Sequence, residues 1–481
     1  MMEEAIYFRR GLWLIAIGTI GHLLYSVHLE LVGDEAYYWL WSRHLDICYL
    51  DKGPMTAWLI WLGTKMFGQT VFGVRFFAVI LAGGTGLAIL SLGRTLFSSR
   101  GGFWAVFLAT VVPLFAVGAS LMTIDTVYIF FWSWAAVIFW RAKDSSDITF
   151  WVLTGVLVGL GLLSKYTAAF EIVSFATFCL IHPPSRLHLR SVTFWSMVTT
   201  ALLFLTPAIV WNVQHHWPTT DWLVQRGSLD RGFSIHIRFP LEFFAGQAGV
   251  ISPLIFLGLL YVVCRSFLHQ GPRGEIAYAL CLFLPLFGFY FLLSFHYPGP
   301  PNWAAAAYVG GLILLAANWP FVSERRRWLH WFAFAAILLA AVETAILHET
   351  RWLHLPSRID PLDRARGSRS LATSVENWQK KSGAQYIIAD NYMTAALLSF
   401  YLPGQPETYV PATDRPLNQE ELWANYDQKY PHATALVVSK HAGGLTSSFR
   451  KSFKHLDKVT SIDLIDRDRR LGKYQLYLGA R

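Results

Sequence analysis

About eleven stretches of the 481-residue chain are long and apolar enough to cross a bilayer, and this feature constrains the fold more than any other. They lie near 11–29, 73–97, 103–120, 124–140, 149–163, 167–182, 193–211, 248–264, 276–295, 303–320 and 329–347. A further apolar stretch, 54–67, is short and lies between polar turns, so it reads as an interfacial helix. Hydrophobic residues make up 54% of the chain, charged residues only 15%, and mean hydropathy is +0.38, which excludes a string of soluble domains. A net charge of +9 would suit nucleic acid, but before the tail the Lys and Arg residues sit largely in short loops between apolar segments, where they encode membrane topology. The four cysteines are far apart in sequence, so neither a disulfide framework nor a thiolate metal site is expected. The first apolar stretch follows Arg9-Arg10 but has no small-residue cleavage site after it, so it is expected to remain as a span.

Loop charge gives an orientation. With the N-terminus inside, alternate loops carry Arg94 and Arg100, Arg141 and Lys143, Arg186 and Arg190, Arg265 and Arg273, and Arg325 to Arg327, as the positive-inside rule asks. The opposite loops collect carboxylates, histidines and aromatics. An odd number of spans also puts the tail outside. The division expected is a polytopic all-α membrane domain over 1–349, with a first outer loop at 30–72, followed by a small soluble α/β domain over 350–481. In that tail the segments at 384–390, 434–440 and 473–479 read as strands, and 391–402 and 419–430 suit helices.

Five places look chemical. The first outer loop places Asp34 and Glu35 at the end of the first span, beside aromatic and apolar neighbours and upstream of Lys52. A carboxylate near low-dielectric surface is suited to take a proton or hold a cation, although a solvated acidic pair at a helix end would look the same. Asp125 opens a long apolar helix, where it acts either as an N-cap or as a cavity carboxylate. Lys165, between Ser164 and Tyr166, is suited to a phosphate or to snorkelling. The segment 211–233 offers His215, His216, Arg226 and Arg231 to an anion; its adjacent histidines alone are weak evidence for a metal. The Pro-rich turn at 296–311 carries His296, Asn302 and Trp303, which either line a cavity or merely flank punctuation.

Taken together, DEAYYWLWSRHLD, YLDKGPMTAWLI, the Asp125 segment, GLGLLSKYTA, WNVQHHW and PPNWAAAAY resemble the membrane glycosyltransferases of the dolichyl-phosphate-mannose protein mannosyltransferase superfamily, glycosyltransferase family 39. The tail segment ADNYMTAALLSFYLPGQP is similar to the same group, whose relatives include aminoarabinose transferases and lipid A or core galacturonosyltransferases. The resemblance implies a GT-C fold in the bacterial inner membrane, with its active site and tail on the periplasmic side. It also implies a polyprenyl-phosphate-sugar donor, a glycolipid or glycan acceptor such as lipid A, core or a lipid-linked glycan, contact with membrane lipids, and no nucleic-acid partner. Carried over by motif, Asp34, Glu35 and Asp125 would be the catalytic carboxylates, and Lys52, Lys165 and Arg226 would bind the donor phosphate. Tyr37, Tyr166, His215, His296, Asn302 and Trp303 would line the substrate pocket. No metal ligand is assigned, although Asp34, Glu35 and Asp125 would together suit a divalent ion. Many relatives have Lys-Pro-Pro where this chain has Lys52-Gly53-Pro54, so Gly53 is expected to loosen the turn that carries Lys52. The competing functions are protein O-mannosylation and movement of a lipid-linked sugar across the membrane. Against the second, the two halves show no inverted repeat, and the informative polar residues gather on one face.

Overall fold

The computed structural model describes residues 2–226, 234–267, 274–319, 327–357, 359–411, 416, 418–423, 426–440, 453–466 and 469–480. The protein is mainly helical, with one small sheet near the C-terminus. Four described helices are individually long and apolar enough to cross a membrane: Val71–Leu96, the run Val192–Gln214, Gly274–Ser294 and Arg327–His348. A fifth span is possible if Arg238–Ile251 and Pro253–Arg265, which meet at 111°, are counted as one.

The count of about eleven spans is therefore not reproduced by helix length and composition. The reason is local. Pro113 restarts a helix directly after Ser99–Val111, so the stretch 103–120 is split in two. Ser252, at φ 76°, breaks 248–264 just before Pro253. The stretches 149–163 and 167–182 do form separate helices, Ile148–Leu162 and Ala169–Ile181 on either side of a turn at Lys165, but at 15 and 13 residues each is short for a span.

These helices share one large aromatic and aliphatic core. Phe139 and Phe175 stack with centroids 4.0 Å apart, and the Tyr278 hydroxyl donates to the Ala136 carbonyl at 2.7 Å. Where Val71–Leu96 crosses Ser99–Val111, a Cβ on Gly93 would lie 2.8 Å from the Gly102 Cα, so the small residues set the closeness of that crossing.

The loop at 30–72, the first one expected to face outward, is itself folded. Gly33–Arg43 and Met55–Phe67 are helices, the second covering the stretch expected at 54–67. Trp39 and Trp41 are fully buried, and burial of each such aromatic is worth roughly 2–3 kcal/mol. Glu35 fixes this loop to the membrane helices. Arg75, from Val71–Leu96, donates to Glu35 Oε1 at 2.8 Å through Nε and also pairs with Oε2. The other three guanidinium donors go to the carbonyls of Ser26, Leu29 and Glu30. Glu35 further accepts from the backbone N–H groups of Val32 at 3.1 Å and Met122 at 2.9 Å.

The C-terminal sheet has the order β1-β2-β4-β3, where β1 is Tyr386–Ala389, β2 Ala435–Ser439, β3 His455–Asp466 and β4 Arg469–Ala480. β1 and β2 are parallel; β4 pairs antiparallel with both β2 and β3. The strand alternation divides β1 cleanly. Ile387 and Ala389 pack toward the helices Ser368–Ser382 and Tyr392–Tyr401, whereas Tyr386 and Ile388 face a tyrosine cluster with Tyr409 and Tyr426. Residues 384–390, 434–440 and 473–479 thus contain strands, and β3 is a fourth that its polar sequence concealed.

This tail lies on the first outer loop. Trp39 meets Phe400 edge-on, with centroids 4.8 Å apart, and Tyr37 meets Tyr392 at 4.6 Å. The Gln419 N–H donates to the Tyr37 hydroxyl and the Leu50 N–H to Gln419 Oε1, both at 2.7 Å. The loop is therefore held between the membrane helices and the tail.

Candidate active site

Beneath the first outer loop is a cavity of about 1130 Å³ with two chemically different ends. One end is apolar, walled by Leu14, Ile15, Val79, Ile89, Val106 and Ala109 from three helices. The other end is polar and is lined by Asp34, Asp51, Lys52, Asp125, Lys165 and Asn302, with Tyr37, Tyr166 and Trp303 beside them.

Residues far apart in sequence meet at the polar end. Asp125, in the first turn of Ile124–Ala142, accepts from Lys165 Nζ at 2.7 Å through Oδ1 and from Asn302 Nδ2 at 2.6 Å through Oδ2. Lys165 follows the end of Ile148–Leu162, and Asn302 sits in the 3-10 turn Pro301–Ala304, so three separate elements converge on one carboxylate. Burial alone would lower the Lys165 ammonium, but Asp125 and Tyr290 outweigh it and hold its pKa above the ordinary lysine value. The Asp125 contact uses one of three ammonium donors, leaving capacity for an incoming anion.

Lys52 is placed by its neighbours. Its ammonium donates to the Asp51 carbonyl at 2.9 Å and Asp51 Oδ2 at 3.2 Å, and lies 4.3 Å from the centre of the Trp222 ring. Trp222 reaches it from Pro218–Arg226, a helix that follows a tight turn in which His216 and Trp217 both have positive φ. Asn212 pins that turn, accepting from the backbone of Trp217 and Thr219. Gly53 does not loosen the Lys52 turn as expected. A Cβ there would run into the Leu163 carbonyl, which already accepts from the Met55 N–H at 3.0 Å, so glycine permits a close backbone crossing that draws Lys52 toward Lys165.

Asp34 stands in the first turn of Gly33–Arg43, lines the cavity, and has no hydrogen-bond or ion-pair partner among the described residues. Its pKa is raised above the usual carboxylate range. Burial is the main cause, reinforced by Asp51 and Glu35 and partly offset by Arg364 and Lys52. An unpartnered carboxylate with a raised pKa can accept a proton from a hydroxyl and orient it for attack.

Several expected site residues are elsewhere. Glu35 is turned away from the cavity into its buried pair with Arg75. With Asp125 engaged by Lys165 and Asn302, the three carboxylates considered for a divalent ion do not converge; among the described residues no group of three or more His, Cys, Asp or Glu is arranged to hold a metal. His215 caps the helix Thr206–Gln214, where it stacks on Trp211 at 4.1 Å and is exposed, outside the cavity lining. His296 is buried, with Nδ1 3.2 Å from the Ser234 N–H, and is likewise outside that lining. Arg226 ends its helix and Arg231 lies outside the described residues; the Arg226 side chain is also outside them. Sequence reasoning did not single out Asp51, Trp222, Tyr392, Asn418 or Arg364, all of which line the cavity. Asp51 had a sequence signal in its place beside Lys52, and Tyr392 in its place within the tail segment ADNYMTAALLSFYLPGQP.

The sequence and the fold are both similar to those of known proteins. Residues 51–211 match the family model described as dolichyl-phosphate-mannose-protein mannosyltransferase. The chain is 27% identical over 374 residues, 77% of each protein, to the lipid A galacturonosyltransferase RgtD of Rhizobium johnstonii. It is 27% identical over 187 residues, 35% of each protein, to the undecaprenyl phosphate-alpha-4-amino-4-deoxy-L-arabinose arabinosyl transferase of Pseudomonas savastanoi. Its fold is similar to ArnT from Cupriavidus metallidurans, with a TM-score of 0.61 and 14% identity, covering 96% of this chain and 97% of the other. The same protein bound to undecaprenyl phosphate gives a TM-score of 0.58. With a fold similar to that of ArnT and a family-model match over residues 51–211, which carry Asp51, Lys52, Asp125 and Lys165, the chain is similar to the membrane glycosyltransferases of the dolichyl-phosphate-mannose protein mannosyltransferase group.

Proposed function

We propose that the protein transfers a monosaccharide from a polyprenyl-phosphate donor to a lipid A, core or lipid-linked glycan acceptor at the outer face of a bacterial inner membrane. The observation that carries this reading is the two-ended cavity: an apolar channel suited to an isoprenoid chain opens directly onto Lys52 and Lys165. The names of the relatives, which include a lipid A galacturonosyltransferase and an undecaprenyl-phosphate aminoarabinose transferase, support both the donor and the acceptor class. The basic loops described above favour about eleven passes with a cytoplasmic N-terminus, leaving Asp34 and the α/β tail on the periplasmic side as a separate domain.

The chemistry follows as a single inverting displacement. The acceptor hydroxyl oxygen forms a bond to the anomeric carbon and its proton passes to Asp34. The bond from that carbon to the phosphate oxygen breaks, and its electrons leave with polyprenyl phosphate. Negative charge grows on the phosphate as this happens, and Lys52 and Lys165 stabilise it there. Asp125 and Asn302 hold Lys165 in place. Tyr37, Tyr166 and Trp303 form walls around the sugar.

The test is transfer by purified protein in liposomes given a panel of undecaprenyl-phosphate monosaccharides and lipid A acceptors, with the product identified by mass. One added sugar on the acceptor and stoichiometric undecaprenyl phosphate would support the reading. Movement of intact lipid-linked sugar between leaflets, without transfer, would replace it with transport.

A further inference from the structure

Among the described residues, three Lys or Arg side chains line the cavity: Lys52, Lys165 and Arg364. Two of them have carboxylate partners, Asp51 and Asp125. Arg364 has none among the described residues, and it alone of the three comes from the tail. Four nearby carboxylates are taken up by other arginines, whereas Asp34, on which Arg364 acts, pairs with none of these. Asp363 pairs with Arg469; Asp360 accepts from Arg469 at 2.7 Å and pairs with Arg366 at 3.3 Å. Glu349 takes Arg366 at 2.7 Å, and Asp466 takes Arg351 at 2.9 Å.

The backbone under Arg364 is fixed. It occupies the 3-10 turn Asp363–Ala365, where Leu362 and Ala365 are buried against Leu29 and Val32 just before the first-loop helix. The Ala365 carbonyl accepts from the Glu30 N–H at 3.2 Å. A planar guanidinium with unspent donors thus stands exposed at the mouth of the cavity, on a turn anchored beside the helix that carries Asp34. It is also the strongest single charge acting on Asp34, opposing the upward shift of that carboxyl.

We propose that Arg364 is an oxyanion subsite contributed by the tail, gripping a carboxylate or phosphate on one of the two substrates while Asp34 engages the attacking hydroxyl. The inference rests on the glycosyl-transfer reading above. A guanidinium matches such a group through two parallel N–H donors, which a lysine cannot reproduce. The anion has two sources, a carboxylate on the transferred sugar or a phosphate on the acceptor, and both carry the same chemistry.

The experiment compares wild type, Arg364→Ala and Arg364→Lys in liposomes. Undecaprenyl-phosphate galacturonic acid is set against its neutral galactose counterpart, and lipid A against dephosphorylated lipid A. The expected result for Arg364→Ala is a rise in KM of about tenfold or more for whichever substrate bears the recognised anion. The neutral counterpart should change less than about twofold, and Arg364→Lys should fall between. A dependence on the sugar carboxylate identifies the donor as the source, and one on the acceptor phosphate identifies the acceptor. Unchanged KM values, or equal losses on charged and neutral substrates, would overturn the subsite while leaving glycosyl transfer intact. Thermal unfolding in detergent shows that the variants are folded. Absence of transfer by the wild-type protein on every pair would instead remove the reading on which the subsite rests.

Discussion

The buried pair between Glu35 and Arg75 separates the two acidic residues at the start of the first-loop helix more sharply than any other feature. Replacing Glu35 by Ala leaves four donors without their acceptor: Nε and one Nη2 hydrogen of Arg75, and the N–H groups of Val32 and Met122. Both charged side chains are almost wholly excluded from solvent, at 2% and 0%. Breaking such a pair from one side costs about 3–5 kcal/mol, because a buried charge is left uncompensated. Glu35→Gln, which keeps one acceptor oxygen and the side-chain shape, should cost roughly 2 kcal/mol. Arg75→Met should also destabilise, since the carbonyls of Ser26, Leu29 and Glu30 lose their donor. The double variant should lose less than the sum of the singles, with a coupling of about 2–3 kcal/mol. Reversible unfolding in mixed micelles measures all four species, and turnover is measured on the folded fraction. If Glu35→Gln keeps wild-type stability while turnover collapses, the structural role assigned to Glu35 is wrong and it belongs with the catalytic groups.

Other outcomes follow from the same geometry. Because the Asp34 pKa is raised above 3.8, the folded state retains a proton that the unfolded chain has already released, so the group removes stability as pH rises through that interval. Asp34→Asn should therefore unfold at a higher temperature than wild type at pH 7, with the difference vanishing in acid; an equal or lower temperature would count against the burial described. The acid limb of the wild-type rate profile should lie above the ordinary carboxylate range, since Asp34 must be ionised to take a proton; a midpoint near 3.8 would contradict this. Gly53→Ala should cost about 1–3 kcal/mol, read by thermal unfolding, because the added Cβ meets the Leu163 carbonyl; no change would mean that the turn is loose after all. Asn302→Ala frees one oxygen of Asp125 and should lower kcat about tenfold with little change in stability, measured at saturating donor and acceptor.

What could be read from the sequence was set by how local the signal was. Apolar length marked the membrane helices, and short apolar, β-branched or aromatic runs marked β1, β2 and β4, because each signal lies within one element. Pro113 and Ser252 were read through, so helices broken there were counted as whole spans. In the site, Asp34, Lys52, Asp125, Lys165 and Asn302 stood out as polar groups at the ends of apolar runs, and the structure brings all five to one cavity. Glu35 looked equivalent to Asp34 because adjacent helical residues share a sequence context but point about 100° apart. Its partner Arg75 was hidden inside a long apolar helix. Arg364 and Asn418 left no signal, and Tyr392 only its place in a resembling tail segment, since their meaning depends on how the tail folds back onto the first loop.

The most direct test of the account is a comparison of Asp34→Asn with wild type in the same liposomes, measuring both undecaprenyl-phosphate binding and sugar transfer. On the proposed reading Lys52 and Lys165, not Asp34, hold the donor phosphate, so the variant should bind undecaprenyl phosphate within about twofold of wild type, while transfer falls by roughly 10²–10⁴-fold. Transfer near the wild-type rate in a folded variant that binds the lipid would contradict the central claim that Asp34 handles the acceptor proton.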